Sequence, residues 1–571
     1  MPDMARLRVI GAEGGRLFRL LMIEALTLSA IGVVAGLGVG IALAHMLVPL
    51  VTESMGVIFQ LRFATGTIAL TPRDQLFAAG AGIIAALFAS AFAARDMARA
   101  EPLAVLRNDY APGMQRVPAR RFVLVWLVLV AVSVLALAGE VRYQSIALGN
   151  LGATLWNASA IVIAVPIIIW VTPALRRWAT ETFGPAGRVA IESLARSAKR
   201  SGITVAAIAL VMTVGIFVSS LALSFRQSMR AYIGQFLAGD LTVSAVATEG
   251  GWLETPLPEQ LADELRAVEG VTGVETISVL PGQPYAGMRI AIAGMSEGFF
   301  DVDRYPANWF REGDPAAASA AIRRGEGVNI STGLADRTGL HAGDSITLET
   351  PTGPFTLPIV GIVPDYISDK GTVLMLRRLV QEHWLINTVH RFQLSVDPAV
   401  PLERVRKAIA STIGKRYRIK TLSLREVLAY HDDKIDTAFS FTAAIQLLVI
   451  IVTVAGIFDL LVSAILERRR ELAVWQLIGA EHALIRNSIV IESAVIGVLG
   501  ALLGAIVGLV TAWIWIHFNF RFLLGYYLEQ HFAIGYTLKI ALVALTTTVL
   551  GGYLAGRQAG RLPLLELLKS E

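Results

Sequence analysis

Apolar runs long enough to cross a bilayer, about twenty residues, alternate with short polar stretches along most of the chain. They fall at about 17–46, 75–94, 121–139, 152–173, 203–224, 438–464, 487–517 and 537–556. The pattern predicts eight spanning helices, the first and seventh long enough to tilt or protrude. One connection breaks the alternation: residues 226–436 form a polar insert between the fifth and sixth helices, ample for an α/β domain. Within it, Ser345-Ile346-Thr347-Leu348-Glu349 alternates polar and apolar. The turn Pro351-Thr352-Gly353-Pro354 and the strand-like Ile359-Val360-Gly361-Ile362-Val363 follow, which predicts a hairpin. Leu402, Val405, Ile409 and Ile413 recur at helical spacing, with Gly414 placed as a C-cap. Ser423 and Glu426 have capping-box spacing. No proline follows before the sixth apolar run ends, so a helix starting there is predicted to continue into the membrane as a stalk. The third and fourth helices form a hairpin with a short outer loop around Glu140 and Arg142. Segment 188–200 sets Ile191, Leu194, Ala195 and Ala198 on one face and its charged residues elsewhere, as a helix lying on a membrane surface does.

The first hundred residues recur in the last hundred. Ile10-Gly11-Ala12-Glu13 reappears as Ile478-Gly479-Ala480-Glu481, an offset of 468. The same offset carries Glu24 onto Glu492 and Gly32, Gly36 and Gly40 onto Gly500, Gly504 and Gly508. Repeats in hydrophobic chains suggest a transport-type architecture of related halves.

Charge then orients the bundle. Basic residues gather in 1–19, in 95–121, in 174–202, at Arg468 to Arg470 and in the tail, while the intervening loops hold one or two each. Every second loop is basic, which places both termini in the cytoplasm and 226–436 outside. With 54% hydrophobic and 17% charged residues in 571, and a mean hydropathy of +0.60, the chain lacks the polar surface of a soluble protein. It has no cysteine, which excludes disulfides, thiolate metal sites and a cysteine nucleophile. Residues 1–19 carry four arginines, and the apolar run after them is too long for a cleavable signal peptide.

Candidate chemistry is sparse. Glu467-Arg468-Arg469-Arg470-Glu471-Leu472 is either a charged knob for docking a soluble partner or a positive-inside anchor; the copied Ile-Gly-Ala-Glu beside it favours docking. The glycine stripes lie at i, i+4, i+8, where small residues admit a neighbouring helix, within the chain or across a dimer. Glu24, Glu492 and Asp459 lie inside apolar helices, where ionisable groups are costly and either functional or hydrogen-bonded. His431-Asp432-Asp433-Lys434 reads as a solvated helix end. The eight histidines show no metal-ligand spacing, and no GxxxxGK[ST] phosphate loop occurs. Nucleotide-driven work therefore requires a second chain.

These residues resemble the FtsX/MacB-type permeases of ABC transporters, in particular a two-repeat, YbbP-like group. Arg469, Arg470, Glu471 and Leu472 match the family's R-R-x-E-[IL] element, and Leu477-Ile478-Gly479-Ala480 its following segment. Glu492, Gly500 and Gly504 match its E…G…G pattern. Its ending appears as Pro102-Leu103-Ala104-Val105-Leu106-Arg107 and, more loosely, from Pro563 to Leu568. The resemblance implies a polytopic α-helical membrane protein of about eight helices and two FtsX-like repeats, with an α/β extracytoplasmic domain. Its parts are 1–113, a partial first repeat; 114–180, a two-helix linker; and 181–225, the amphipathic helix with the fifth spanning helix. The extracytoplasmic domain (226–436) and the second repeat (437–571) follow. A first spanning helix and extracytoplasmic domain normally precede such a first repeat, and group members have ten helices. The implied protein is not itself an enzyme and binds no cofactor or metal. ATP and magnesium sit on a separate ABC ATPase, present as two subunits in the complex.

The resemblance further implies that Arg468 to Glu471 and Ile478 to Glu481 contact that ATPase, with Arg8, Ile10, Gly11, Ala12 and Glu13 as a weaker counterpart. ATP-driven motion then travels to the extracytoplasmic domain, exporting or extracting a hydrophobic, peptide or lipidated substrate at a bacterial plasma membrane. Further partners are membrane lipids and an extracytoplasmic protein, not nucleic acid. The alternative is a signalling component that activates a cell-wall hydrolase without transport. An intramembrane enzyme using Asp459 and the glutamates ranks behind both.

Overall fold

The structure, a computed structural model, describes residues 13–59, 71–99, 119–236, 239–246, 255–305, 309–467, 479–521 and 527–559. Each apolar run becomes helix because, in hydrocarbon, only a helix satisfies its own backbone. The helices are α1 (Gly14–Phe59), α2 (Pro72–Arg99), α3 (Ala119–Tyr143), α4 (Ile146–Arg196) and α5 (Ala198–Phe236). After the sheet domain come α6 (Leu424–Ala438), α7 (Ser440–Glu467), α8 (His482–Ile514) and α9 (Ile534–Ala559). Among the described residues six helices are long and apolar enough to span a membrane, and α7 adds a shorter apolar stretch, Ile445–Gly456. The chain is a polytopic helical membrane protein.

The centre of the bundle is α8. Cβ atoms on Gly500, Gly504 and Gly508 would stand 2.9–3.0 Å from Ile208, from Ala209 and Met212, and from Ile216 of α5. On its other side α8 meets α9 at Gly497 against Thr548 and at Gly552 against Ser493. The buried seam these glycines permit includes Ile168, Met212, Ile216, Val507 and Ile540.

The sheet domain hangs between α5 and α6. Its strands are β1 (Leu241–Ala245), β2 (Val271–Tyr285), β3 (Met288–Met295), β4 (Val328–Ser331), β5 (Ser345–Thr350), β6 (Gly353–Val363), β7 (Thr372–Leu376), β8 (Arg391–Val396) and β9 (Ile419–Ser423). They form one nine-stranded sheet in the order β9-β1-β8-β2-β3-β7-β4-β6-β5. The pairs β3–β7 and β4–β6 are parallel and the rest antiparallel. The predicted hairpin is β5–β6, pairing Ile346 with Leu357 and Leu348 with Phe355. A second hairpin turns between β2 and β3 on Ala286 and Gly287, both at positive φ, as tight two-residue turns require.

Three sequence expectations change. Gly414 is not a C-cap: it opens a short helix, Gly414–Tyr417, and Arg418 at φ 50 makes the left-handed step into β9. Glu140 is not in a loop. It is fully buried in the last turns of α3, where a Cβ on Gly149 of α4 would touch its carboxylate, and the loop is Gln144-Ser145. His431 is not a solvated end but a packed side chain of α6. Burial, with Arg391 and Lys420 nearby, brings its pKa down to about 4.

Candidate functional site

α5 and α6 are the struts that carry the sheet domain. The first turn of α6 is closed by a capping box: Ser423 N–H donates to Glu426 Oε2 at 2.7 Å, and Glu426 N–H to Ser423 Oγ at 3.3 Å. The Ser423 N–H and hydroxyl, with Arg406 beside them, hold the Glu426 carboxyl below its usual range. The strut runs on to α7 through a one-residue turn at Phe439. It stays bonded across that turn, Phe439 N–H to Ile435 O at 2.9 Å and Thr442 N–H to Phe439 O at 2.8 Å. Arg226 pairs with Asp436, and Arg230 with Asp432 at 3.4 Å, so α5 and α6 are tied side by side. Such exposed pairs are worth about 1 kcal/mol at most. Packing does more: Phe225, Tyr232 and Phe236 of α5 lie in one core with Ile277 and Phe299 of the domain and Ile435 of α6. Each buried aromatic contributes on the order of 2 kcal/mol.

Polar latches surround that core. Tyr232 donates to Asp365 Oδ1 at 2.8 Å, and Thr372 donates to the other oxygen. The Asp365 carboxyl is pushed up by burial, against these donors. The Tyr366 hydroxyl donates to the Tyr527 carbonyl. Asp336 receives Arg311 at 2.8 Å and Arg521 from beyond α8, while Gln144 of the α3–α4 loop donates to its backbone carbonyl at 2.7 Å. Both guanidiniums stand 5.5 Å from the Tyr527 ring centre.

A third contact uses serines of α5. Ser224 Oγ donates to His531 O at 3.0 Å and accepts His531 N–H at 2.9 Å. Ser228 accepts Glu529 N–H at 2.8 Å, and Ser220 accepts Ala533 N–H at 3.2 Å. Four helical residues advance ~6 Å and two extended residues ~6.6 Å. An antiparallel strap at 529–533 can therefore meet every fourth residue of a helix. The spacing Ser220, Ser224, Ser228 was the available signal, and sequence reasoning passed over it.

The predicted site residues are distributed as follows. Arg468, Arg469, Arg470, Glu471, Ile478, Arg8, Ile10, Gly11 and Ala12 lie outside the described residues. Gly479 has φ 92, and Ala480 leads to Glu481, the N-cap of α8. Glu13 precedes α1 at the equivalent place, its carbonyl accepting Arg16 N–H at 3.0 Å. Glu13 and Glu481 thus stand at the start of a helix in each copy, where the helix dipole favours an acidic residue. Glu492 accepts Ser193 Oγ–H at 2.9 Å, tying α8 to the end of α4. Glu24 is exposed on α1, and Asp459 lies within α7. The glycine stripes differ: Gly500, Gly504 and Gly508 seat α5, whereas among the described residues nothing stands within 4 Å of a Cβ on Gly32, Gly36 or Gly40.

The FtsX-like permease C-terminal family model matches residues 2–102 and 443–564, one match at each copy of the repeat. The MacB-like periplasmic core domain model matches 201–412. An uncharacterized ABC transporter permease protein of Mycobacterium tuberculosis is 26% identical over 581 residues, covering 100% of this chain and 66% of that protein. A macrolide export ATP-binding/permease protein, MacB 1 of Yersinia pestis, is 22% identical over 300 residues, 49% of this chain and 43% of that protein. The chain thus spans about two thirds of the first relative and under half of the second. Among solved structures, the periplasmic region of MacB from Actinobacillus actinomycetemcomitans gives a TM-score of 0.27 at 11% identity, covering 35% of this chain and 96% of that one. The extracellular domain of the noncanonic ABC-type transporter YknZ from Gram-positive bacteria gives 0.25 at 13% identity, covering 32% and 99%.

Proposed function

We propose, from the premise that this chain belongs to the FtsX/MacB-type ABC transporter permeases, that it works as a mechanical transmitter. A separate ATPase, bound as two subunits and holding ATP and magnesium, docks at the inner ends of α7 and α8. Arg468 to Glu471 and Ile478 to Glu481 form the contact, with Arg8, Ile10 and Gly11 to Glu13 as the weaker copy. Both termini lie in the cytoplasm. Closure of the ATPase moves α7 and α5 together, and the sheet domain moves with them to export or extract a hydrophobic, peptide or lipidated substrate.

The observation that carries this reading is the single core joining Phe225, Tyr232 and Phe236 of α5 to Phe299 of the domain and Ile435 of α6. Closely packed interiors transmit displacement rather than absorb it. The test is a Gly-Gly insertion at Phe439 in the complex reconstituted with its ATPase. A transmitter keeps ATP hydrolysis and loses substrate movement. Undiminished movement with the insertion sinks the reading. Recruitment of a cell-wall hydrolase by the sheet domain, with no cargo moved, replaces it by the signalling alternative.

A further inference from the structure

We propose that α4, where it folds back on itself, forms a binding site for the headgroup of an anionic phospholipid. α4 begins at Ile146, beside the sheet domain, and Arg176 lies about 45 Å further along at the helical rise. Hydrocarbon is about 30 Å thick, so Arg176 and Arg177 reach the headgroup layer of the leaflet remote from that domain. There Gly184, at φ 60 and ψ −139, reverses the chain, and Pro185 opens the returning helix. The reversal is tight: a Cβ on Gly187 would stand 2.1 Å from the Ala179 carbonyl oxygen. Between the two arms lies a cleft of about 740 Å³.

Its chemistry has two halves. Ile169, Pro173 and Ile191 give an apolar lining, and Arg176, Arg177 and Arg188 give a basic one. Glu192 is shared by Arg176 at 3.0 Å and Arg188 at 3.1 Å. Arg177 has no hydrogen-bond or ion-pair partner among the described residues. With Glu181 also present, three guanidiniums face two carboxylates, leaving an excess positive charge on a planar fork shaped for phosphate. Trp178 and Phe183, edge-to-face at 5.6 Å and about half exposed, flank the turn. Tryptophan side chains favour the headgroup level. A free phosphate has no use for the apolar lining, and a zwitterionic headgroup brings its own cation and leaves the excess unneutralised. An anionic lipid answers both halves. It would also bear on the bundle, because the returning helix is held to α8 by Ser193 and Glu492.

The test is lipid retention by the purified full chain, measured by native mass spectrometry after exchange into equimolar dioleoyl phosphatidylglycerol and dioleoyl phosphatidylcholine. Phosphatidylglycerol is expected to be retained selectively. Arg177→Gln should reduce that retention about five-fold, in keeping with one basic residue at an anionic surface, and Arg177→Lys should restore most of it. Millimolar inorganic phosphate should not displace the lipid. Equal retention of the two lipids, indifference to Arg177→Gln in a folded variant, or displacement by phosphate would each overturn the proposal. Failure of Arg177→Gln to fold would overturn it too, since the site requires a guanidinium that the fold leaves unused.

Discussion

Asp336 of the sheet domain is paired with Arg521, which lies just beyond the π-helical turn that ends α8. This pair joins the domain to the membrane bundle beside the α5 strut, since the ring of Phe520, next to Arg521, stands 6.4 Å from the Phe225 ring. Asp336 is only 12% exposed and also holds Arg311. Asp336→Ala removes the carboxylate that Arg311 and Arg521 share, and loss of one partner from a buried pair costs about 3–5 kcal/mol. We expect the low end of that range, since Arg311 is partly solvated. Thermal unfolding in detergent measures the loss, and Asp336→Asn should lose less.

The two copies of the glycine stripe should respond differently to one substitution. Gly504→Leu drives a side chain into Ala209 and Met212, an overpacking cost of about 1–3 kcal/mol. Gly36→Leu at the equivalent position meets nothing within 4 Å among the described residues and gains helix propensity, so its unfolding temperature should be unchanged or higher. Equal losses at both positions would contradict the packing described.

His431 makes stability fall with acid. Its folded pKa, about 4, lies below the ordinary 6.5, so the unfolded chain takes up the proton first. The stabilisation is therefore complete above pH 6.5 and is lost progressively as pH drops toward 4, by at most ~3 kcal/mol. Denaturant midpoints at pH 7 and pH 4.5 check this. His431→Asn should flatten the difference.

At the start of α6, Ser423→Ala removes one side of the capping box and should cost about 1 kcal/mol. The loss is local, so hydrogen exchange should accelerate in the first turn of α6 and leave β5 and β6 untouched. If the whole domain exchanges faster, the cap anchors more than a helix end.

What could be read in the chain was whatever rests on neighbours in sequence. The apolar runs, the β5–β6 hairpin and the Ser423–Glu426 box are local patterns, and each lies where its pattern put it. The doubled permease segment was legible because a copy carries its own control. Residues whose role depends on a distant partner were not legible. Asp336 meets Arg521 across 185 positions, and His431 lies near Arg391 of β8, 40 positions earlier. Gly414 failed as a cap because the chain reverses four residues later, at Arg418, where no glycine marks the turn. Glu492 could be identified as an intramembrane acid, but its serine lies 299 residues away.

The three hydroxyls of α5 that hold residues 529–533 act as pegs in a rail. Spinning α5 about its long axis, or sliding it past the strap, would pull every peg out at once, whereas movement of helix and strap together keeps them seated. Helix and strap are thus keyed in register as well as in orientation, and any displacement of one carries the other with it.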